Sequence, residues 1–588
     1  MQKIIALTLS LLFCANSAFS KVNIDELKKA MRDEIKRSLS ELSVESLQRP
    51  YYVEYTLNVK NSQSVKASLG GLLSSRDIES ASITVGIRVG NSTFDNTNFF
   101  DVGLGFFGSG DDEESFKNRR IPVELDYQSL RRELWLATDA CYKQAAELYS
   151  KKEASIKNRL RTDTTPDFAT MPAFNAIDTN TLMPYSISDA ELLVKNLSSV
   201  FSQFPAISAS TVSAEYLPET IIYVNSEGRE FVKTKQMVGI EIVSSAQSKD
   251  GMPLAGAYTT YAPISKALPS NDSLMKAALG VAQSLQQALD AEKITEPYSG
   301  PMLFVGQAAA EAFAQNFAPN LIAQRPPLTD RGVQDNDRFT AFQNKIGGRV
   351  LPEFLSVLDN PTLENHAGTS LVAHYAIDDE GVPAQQISLV EKGYLKTLLT
   401  SRIPTKRIKS SNGHSRGGAP IFSTLHLTCN DKKKEVDLEA MKKRMMKLCK
   451  DRDLPFGIMV KHVLNQNILY TVLYEQTSGE FPFAQGDSKL TALEVYKVFP
   501  DGREERVRGG EIAGIGVSSF KDILLVGKKH AAYNYYAPAV ISSFLTGGSQ
   551  FVSASLLVPD ILFEDIELRP LEADFPKPPL MPAPSAVK

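Results

Sequence analysis

The chain has 588 residues, 43% of them hydrophobic and 22% charged, with a net charge of −4. That length allows two or more domains, each with its own core, and the composition is that of a globular protein. The slight acidic excess lacks the basic surplus that nucleic-acid binding calls for, so no nucleic-acid partner is expected.

At the N-terminus Lys3 precedes an apolar run over residues 4–13, and Ala18-Phe19-Ser20 follows. Small residues at the two positions a signal peptidase reads make residues 1–20 a secretory signal peptide, cleaved before Lys21. The run is too short to span a bilayer, and no other segment has the ~18 consecutive apolar residues a membrane helix needs. Bulky Phe13 before Cys14 argues against a lipoprotein. The expectation is an exported protein, periplasmic or extracellular, without a membrane span. Beyond the leader only Cys141, Cys429 and Cys449 remain. That is no disulfide framework, and a Cys429–Cys449 bond is left open.

Ile24, Leu27, Met31, Ile35 and Leu39 recur at helical spacing, predicting an amphipathic helix over 23–42. Alternating apolar positions predict strands at 51–59 and 83–89. Residues 91–120, rich in Gly, Asn and Phe with the acidic run 111–114, read as a surface loop. A long helix is predicted over 125–159, with Trp135 packed beside its stripe. Ser188-Asp-Ala-Glu191 has the form of a capping box opening another helix. Strands recur over 207–244, with a turn at 225–228. Leu274, Ala278, Val281, Leu285 and Leu289 mark a further helix. Residues 21–298 therefore read as an α+β domain with a mixed sheet and long helices. From residue 299 the texture changes. A short strand at 302–305 leads into an alanine-rich helix over 307–317, Pro326-Pro327 breaks the chain, and most of 299–570 reads as strand and turn. The basic helix 438–450 is the exception, its Lys and Arg forming a solvated face. Residues 571–588 are a Pro-rich tail.

Chemistry is sparse. No His-Glu-x-x-His pair sets two ligands on one helix face, and no Gly-x-Ser-x-Gly elbow is present. His366 and His374 flank a predicted strand and would lie ~25 Å apart if extended at ~3.3 Å per residue. His414 and Ser415 are adjacent, but sequence neighbours seldom form a base–nucleophile pair. The fullest motif is residues 371–427, where apolar runs alternate with the turns Asp378-Asp-Glu-Gly381 and Lys392-Gly393. The Gly-rich stretch 412–420 is too polar to be core. Asp378, Asp379 and Glu380 read as a solvated turn. Arg402, Lys406, Arg407, Lys409 and Arg416 read as surface loop charge, with an anion-binding nest as the sharper alternative.

The hairpin Asp378-Asp-Glu-Gly-Val-Pro383, the turn Gly393-Tyr-Leu-Lys396 and the loop Asn412-Gly-His-Ser-Arg416 before Pro420 are the residues by which the chain resembles the TldD/PmbA family. The resemblance is specific over 300–427 and loose from about 51 to 568. It implies an α+β N-terminal domain and a β-rich, barrel- or sandwich-like C-terminal domain. TldD-type members are similar to zinc metallopeptidases that hold unfolded peptides as an added strand. Their ligands are two histidines of a His-Glu-x-x-x-His helix and a downstream cysteine. In the best register Gly306 replaces the first His, Gln307 the Glu base and Glu311 the second His. No His lies between 305 and 317, and no cysteine follows Cys449. The chain thus resembles PmbA-type members, which lack the zinc motif and pair with a TldD-type subunit. The expectation is a non-catalytic subunit with no cofactor, binding a peptide or a TldD-like partner, or forming a homo-oligomer. Asp379, Gly381, Pro383, Asn412, Gly413 and Arg416 are candidates to border a peptide groove. Two alternatives stand beside it. One is an active peptidase with a non-standard zinc site built from Glu311 and His366, His374 or His414. The other is a scaffold that keeps only the fold.

Overall fold

The computed structural model describes residues 23–44, 47–100, 119–157, 164–178, 181–325, 328–329, 332–333, 341–465, 468, 489–538 and 551–571, with positions 575, 579 and 581. The expected signal peptide, the acidic run 111–114, Pro326-Pro327 and most of the Pro-rich tail lie outside these residues.

Helix α1 (Ile24–Glu41) starts where the Asn23 side chain accepts from the Glu26 amide, which satisfies one of the free N–H groups of the first turn. It packs with α2 (Tyr127–Lys157) on one face of a ten-stranded sheet. The sheet is built on β1 (Pro50–Ser68) and β2 (Gly71–Asn91), paired from end to end as a long hairpin. Strict alternation makes β1 two-faced. Val53, Tyr55, Leu57, Val59, Val65 and Ala67 face the helices, and α3 (Ile187–Ser199) covers the last two. Strands β3 (Ile207–Tyr216), β4 (Glu219–Asn225), β5 (Arg229–Lys235), β6 (Val238–Gln247) and β7 (Pro253–Ala262) extend the main path in the order β7-β6-β3-β1-β4-β5, and the short strand Phe174–Asp178 pairs parallel to β5 at its edge. Helix α4 (Asn271–Asp290) lies against β6 and β7.

The second half is built on a closed sheet. Strand β8 (Tyr298–Phe304) leads into α5 (Gln307–Asn316). Then follow β9 (Leu355–Asp359), β10 (Ile387–Glu391), β11 (Thr424–Cys429) and α6 (Leu438–Asp451). The chain continues through β12 (Gly457–Val463), β13 (Lys489–Val498), β14 (Gly510–Ala513) and β15 (Ile523–Gly527), then β16 (Ala532–Pro538), β17 (Phe551–Leu557) and β18 (Ile561–Pro570). β8 pairs with β12 and β18, β12 with β13, β13 with β14, and β14 with β18. The ring has no free edge among those five strands. β10, β9, β11, β17 and β16 form a separate sheet. Helix α5 is wedged between the two, touching β8 and β12 on one side and β16 and β17 on the other. Ala308, Ala309, Ala310, Ala312 and Ala314 are all buried. Their short side chains let both sheets approach the helix backbone closely. Across β8 the alternation splits the core: Met302 and Phe304 join the cluster around α5, and Leu303 joins the one under α6.

The α+β class, with its β-rich second half, is the one expected. Three local expectations fail, and one open pairing is decided. Residues 371–377 form no strand; turns replace it, closed by a single bridge between Ile377 and Pro383. Trp135 is 49% exposed instead of packed. Cys429 and Cys449, whose pairing the sequence leaves open, are free thiols. Helix α3 begins two residues earlier than the apparent capping box implies, because Ser186 rather than Ser188 is its N-cap and accepts from the Asp189 amide.

Candidate functional site

Two polar constellations hold the residues singled out by the sequence motifs. The first is the acidic turn at 378–380. It is not a solvated turn but a plug in the outer face of the N-terminal sheet. Even-numbered Tyr52 and Glu54 of β1 point to that face, where their side chains meet Tyr223. Lys233 of β5 donates to Asp379 Oδ1 at 2.6 Å and to the Ile377 carbonyl at 3.3 Å. Arg229 donates to the Gly381 carbonyl. Asp378 accepts from the amides of Glu380, Val382 and Ser415. Glu380 accepts from the Arg402 amide at 2.7 Å.

Arg402 is no surface loop charge. Its side chain is fully buried and reaches across the two halves. It donates to Tyr52 Oη, to the Ala169 carbonyl and to Glu227, and stacks over Phe168 at 4.1 Å. A planar guanidinium is suited to such a site, since it offers five fixed donors and an apolar face. Burial raises the Asp378 carboxyl to about 6, and burial plus the Asp378 charge raise Glu380 to about 8. Burial acts the same way on Asp379, but Lys233 and Lys235 outweigh it and hold that carboxyl well below the usual range.

The Gly-rich stretch that follows is interior too. Arg416 donates to the carbonyls of Phe422 and Ser553 and lies over the Tyr375 ring at 4.9 Å. Gly413 has φ +78°, and a Cβ there would sit 2.2 Å from the Pro383 carbonyl oxygen, so only glycine fits. Asn412 holds Thr400 by its side chain and its amide. His414 does not pair with Ser415. Its ring turns to Asp359, 3.3 Å away, and to the Asn412 carbonyl. Of the six groove candidates, Asp379, Gly381, Asn412, Gly413 and Arg416 thus bind other parts of this chain, and Pro383 is exposed.

The second constellation is the polar stripe of α5. Gly306 precedes the helix with φ +55° and ψ −118°, and its amide donates to Asp560. Gln307 makes a two-pronged pair with the backbone of Val463, accepting from its amide at 3.0 Å and donating to its carbonyl at 2.8 Å. One turn on, Glu311 is fully buried and accepts from Gln315 at 2.7 Å and from Tyr533 Oη at 2.6 Å. Gln315 also donates to the Leu464 carbonyl. Asn465 donates to Tyr533 Oη and to Thr259 of β7, which extends the network into the other half. Burial raises the Glu311 carboxyl to about 7, despite the two donors.

This arrangement does not fit a zinc ion. The stripe offers one carboxylate, already bonded twice, and no imidazole. The histidines of the alternative zinc reading are elsewhere: His366 beside His426 and His530, His374 near Glu364, and His414 on Asp359. Among the described residues no group of three or more His, Cys, Asp or Glu is placed to hold a metal, and no helix is long and apolar enough to cross a membrane. Sequence reasoning missed Tyr533, Asn465 and Thr259, which adjoin Glu311 only through the tertiary fold.

Residues 312–569 match the family model described as the PmbA/TldA metallopeptidase C-terminal domain, starting just after Glu311. A metalloprotease of Methanocaldococcus jannaschii is 36% identical over 88 residues, 14% of this chain and 18% of that protein. A metalloprotease TldD homolog of Buchnera aphidicola is 33% identical over 76 residues, 13% of this chain and 15% of that protein. The aligned stretches therefore span under a fifth of those relatives' lengths. Among solved structures, a Thermotoga maritima protein described as a candidate modulator of DNA gyrase superposes with a TM-score of 0.56 at 15% identity, covering 93% of this chain and all of that one. TldE from Thermococcus kodakarensis gives 0.54 at 12% identity, covering 92% and 99%. At these identities the likeness is one of fold.

Arg402→Ala leaves Glu227 without its buried partner and is expected to cost on the order of 3–5 kcal/mol, read as a lower denaturant midpoint. For Glu311 the sign follows from its raised value. Between the ordinary 4.5 and about 7 the folded state holds a proton that the unfolded chain has released, so this residue makes stability fall as pH rises through that window. Glu311→Gln removes the charge, so the variant is expected to melt higher than the parent at pH 8 but not at pH 4. Thermal melts across that range check it.

Proposed function

We propose that this chain, which belongs to the TldD/PmbA family through its C-terminal domain, is a non-catalytic, PmbA-like subunit. It binds an unfolded peptide segment or a TldD-like partner, in an exported compartment. The observation that carries this reading is the occupation of α5. Metal-assisted hydrolysis needs a metal that acidifies water and a base beside it. At the positions of the family's motif, Gln307 braces the end of β12, and Glu311 is locked between Gln315 and Tyr533. These side chains knit the two C-terminal sheets together, and Asn465 carries the network on to Thr259 of the N-terminal sheet, a structural duty in place of a ligand's. Export rests on the leader-like residues 1–20.

Zinc loading followed by dialysis and elemental analysis is expected to leave no stoichiometric metal, with no cleavage of an unfolded protein such as reduced casein, while casein is still bound or a TldD-like subunit co-purifies. One zinc per chain together with cleavage would establish the active-peptidase reading instead. Loss of both binding activities would leave the scaffold. Restoring histidine is expected to fail as well. In the double variant Gly306→His, Glu311→His the first imidazole must adopt a backbone conformation that non-glycine residues rarely take, at a cost of about 1–3 kcal/mol. Zinc affinity measured by competition with a chromogenic chelator should stay at the parent's level.

A further inference from the structure

Between the two halves, away from the α5 stripe, α4 and β7 face β12 and β13 across a cleft of about 260 Å³, open to solvent on one side. Its walls are small and mostly apolar: Ala257 from β7, Gly280 and Ser284 from α4, and Leu493 from β13, with His462 and Glu494 at one end. Three observations set it apart from an ordinary packing gap.

The first is Gly280. It lies in the middle of α4, where glycine costs about 1 kcal/mol relative to alanine. It is exposed, a Cβ there would meet nothing within 4 Å, and the backbone is not in the left-handed region. Neither packing nor conformation asks for glycine at this position, and its lack of a side chain leaves the helix backbone open to the cleft. The second is the path of β12. Its ladder with β13 loses register on both sides of His462, between Val460 and His462 and again between His462 and Val463. Bulges of this kind re-aim a side chain, and here the imidazole is aimed into the cleft. Its ring has no hydrogen-bond partner among the described residues. Burial pushes it down to about 4, so the ring is neutral and offers a lone pair. The third is the character of the polar end. Glu494 uses one carboxylate oxygen to accept from Tyr496 Oη at 2.6 Å, which leaves the other. Arg506, the cation nearby, donates to Ser284 Oγ at 2.9 Å and the Leu493 carbonyl at 3.2 Å, and its unpartnered Nε is buried out of reach of solvent. The end of the cleft therefore presents the second Glu494 oxygen and the imidazole lone pair as acceptors.

We propose that this cleft binds a small molecule with an apolar body laid over Gly280 and a hydrogen-bond-donating head, an amine or an aromatic hydroxyl, held by Glu494 and His462. The space is near the lower end of known ligand pockets, which run from about 300 to 1,000 Å³, so it suits a single ring or a branched alkyl group. The site is independent of the peptide-binding reading, since it shares no residue with the α5 stripe or the acidic turn.

The test uses the full chain, with benzylamine and phenol as donor-headed probes and benzoate as the acceptor-headed control. Saturation-transfer NMR and calorimetry are expected to show millimolar binding of benzylamine and phenol, with benzoate far weaker. The His462 ring resonances should move as either donor probe is added. Gly280→Leu fills the open space from a helical position and should weaken both probes at least about tenfold, with no loss of thermal stability. Failure of both donor probes to bind would overturn the proposal, as would undiminished binding in Gly280→Leu. So would benzoate binding as well as benzylamine. If the variant does not fold, the parent chain alone decides: probes that bind without moving the His462 resonances refute the site.

Discussion

Arg402 is the residue on which the two halves depend. A guanidinium removed from water requires acceptors on every side, and it finds them only when both halves are in place. Its own backbone amide holds Glu380 in the C-terminal half, while its side chain holds Tyr52, Ala169 and Glu227 in the N-terminal half. The acidic turn repeats the pattern in reverse, placing Asp379 on Lys233 of the sheet. Opening the joint would strand charges of both signs at once. The halves are thus held by a geometric requirement for mutual satisfaction as well as by apolar contact. A small cluster, Ile221, Tyr223, Phe231 and Ile377, accompanies it there, and Ala257 packs with Leu464 and Ile468 elsewhere along the joint.

Most helices and the regular strands were legible because each has one buried face, and a period of 3.6 or 2 leaves its trace in the residue order. α1, α4 and the run from β3 to β6 are cases in point. The errors come where polarity was taken for exposure. Asp378, Arg402, His414 and Arg416 are as polar as any surface residue, yet each is buried because a partner distant in sequence completes it: Ser415, Glu227, Asp359 and Ser553. Spacing along the chain carries no signal for such pairs. The same holds at 371–377, where β-branched and aromatic residues mimic a strand but pack as turns against the Gly-rich loop, Tyr375 Oη donating to the Gly413 carbonyl. β7 and β18 were missed for a related reason: β7 has small residues and little contrast between its faces, and β18 ends in alternating charge.

The α5 stripe shows how one helix can serve as a joint between two sheets. Its alanines leave room for two sheets, and the three longer side chains Gln307, Glu311 and Gln315 recur every four residues along one line. Here that line meets backbone carbonyls and a tyrosine hydroxyl. What the sequence alone displays is a set of missing histidines. The positive addition, an interior hydrogen-bonded seam, becomes visible only with β12 and β16 in position.

The closed ring of strands also bears on how the protein is made. β8 must pair with β18, far downstream in the chain, and β14, also downstream, joins β13 to β18. Until residues near 570 are available the ring stays open, with Met302 and Phe304 on one face and Leu303 on the other lacking their cover. Pairings this distant in sequence bear a large loop-closure entropy and form slowly. The ring of the C-terminal half therefore closes only once β18 is present, rather than by growth from one end. Without β18, the edges of β8 and β14 that it covers would be left unpaired.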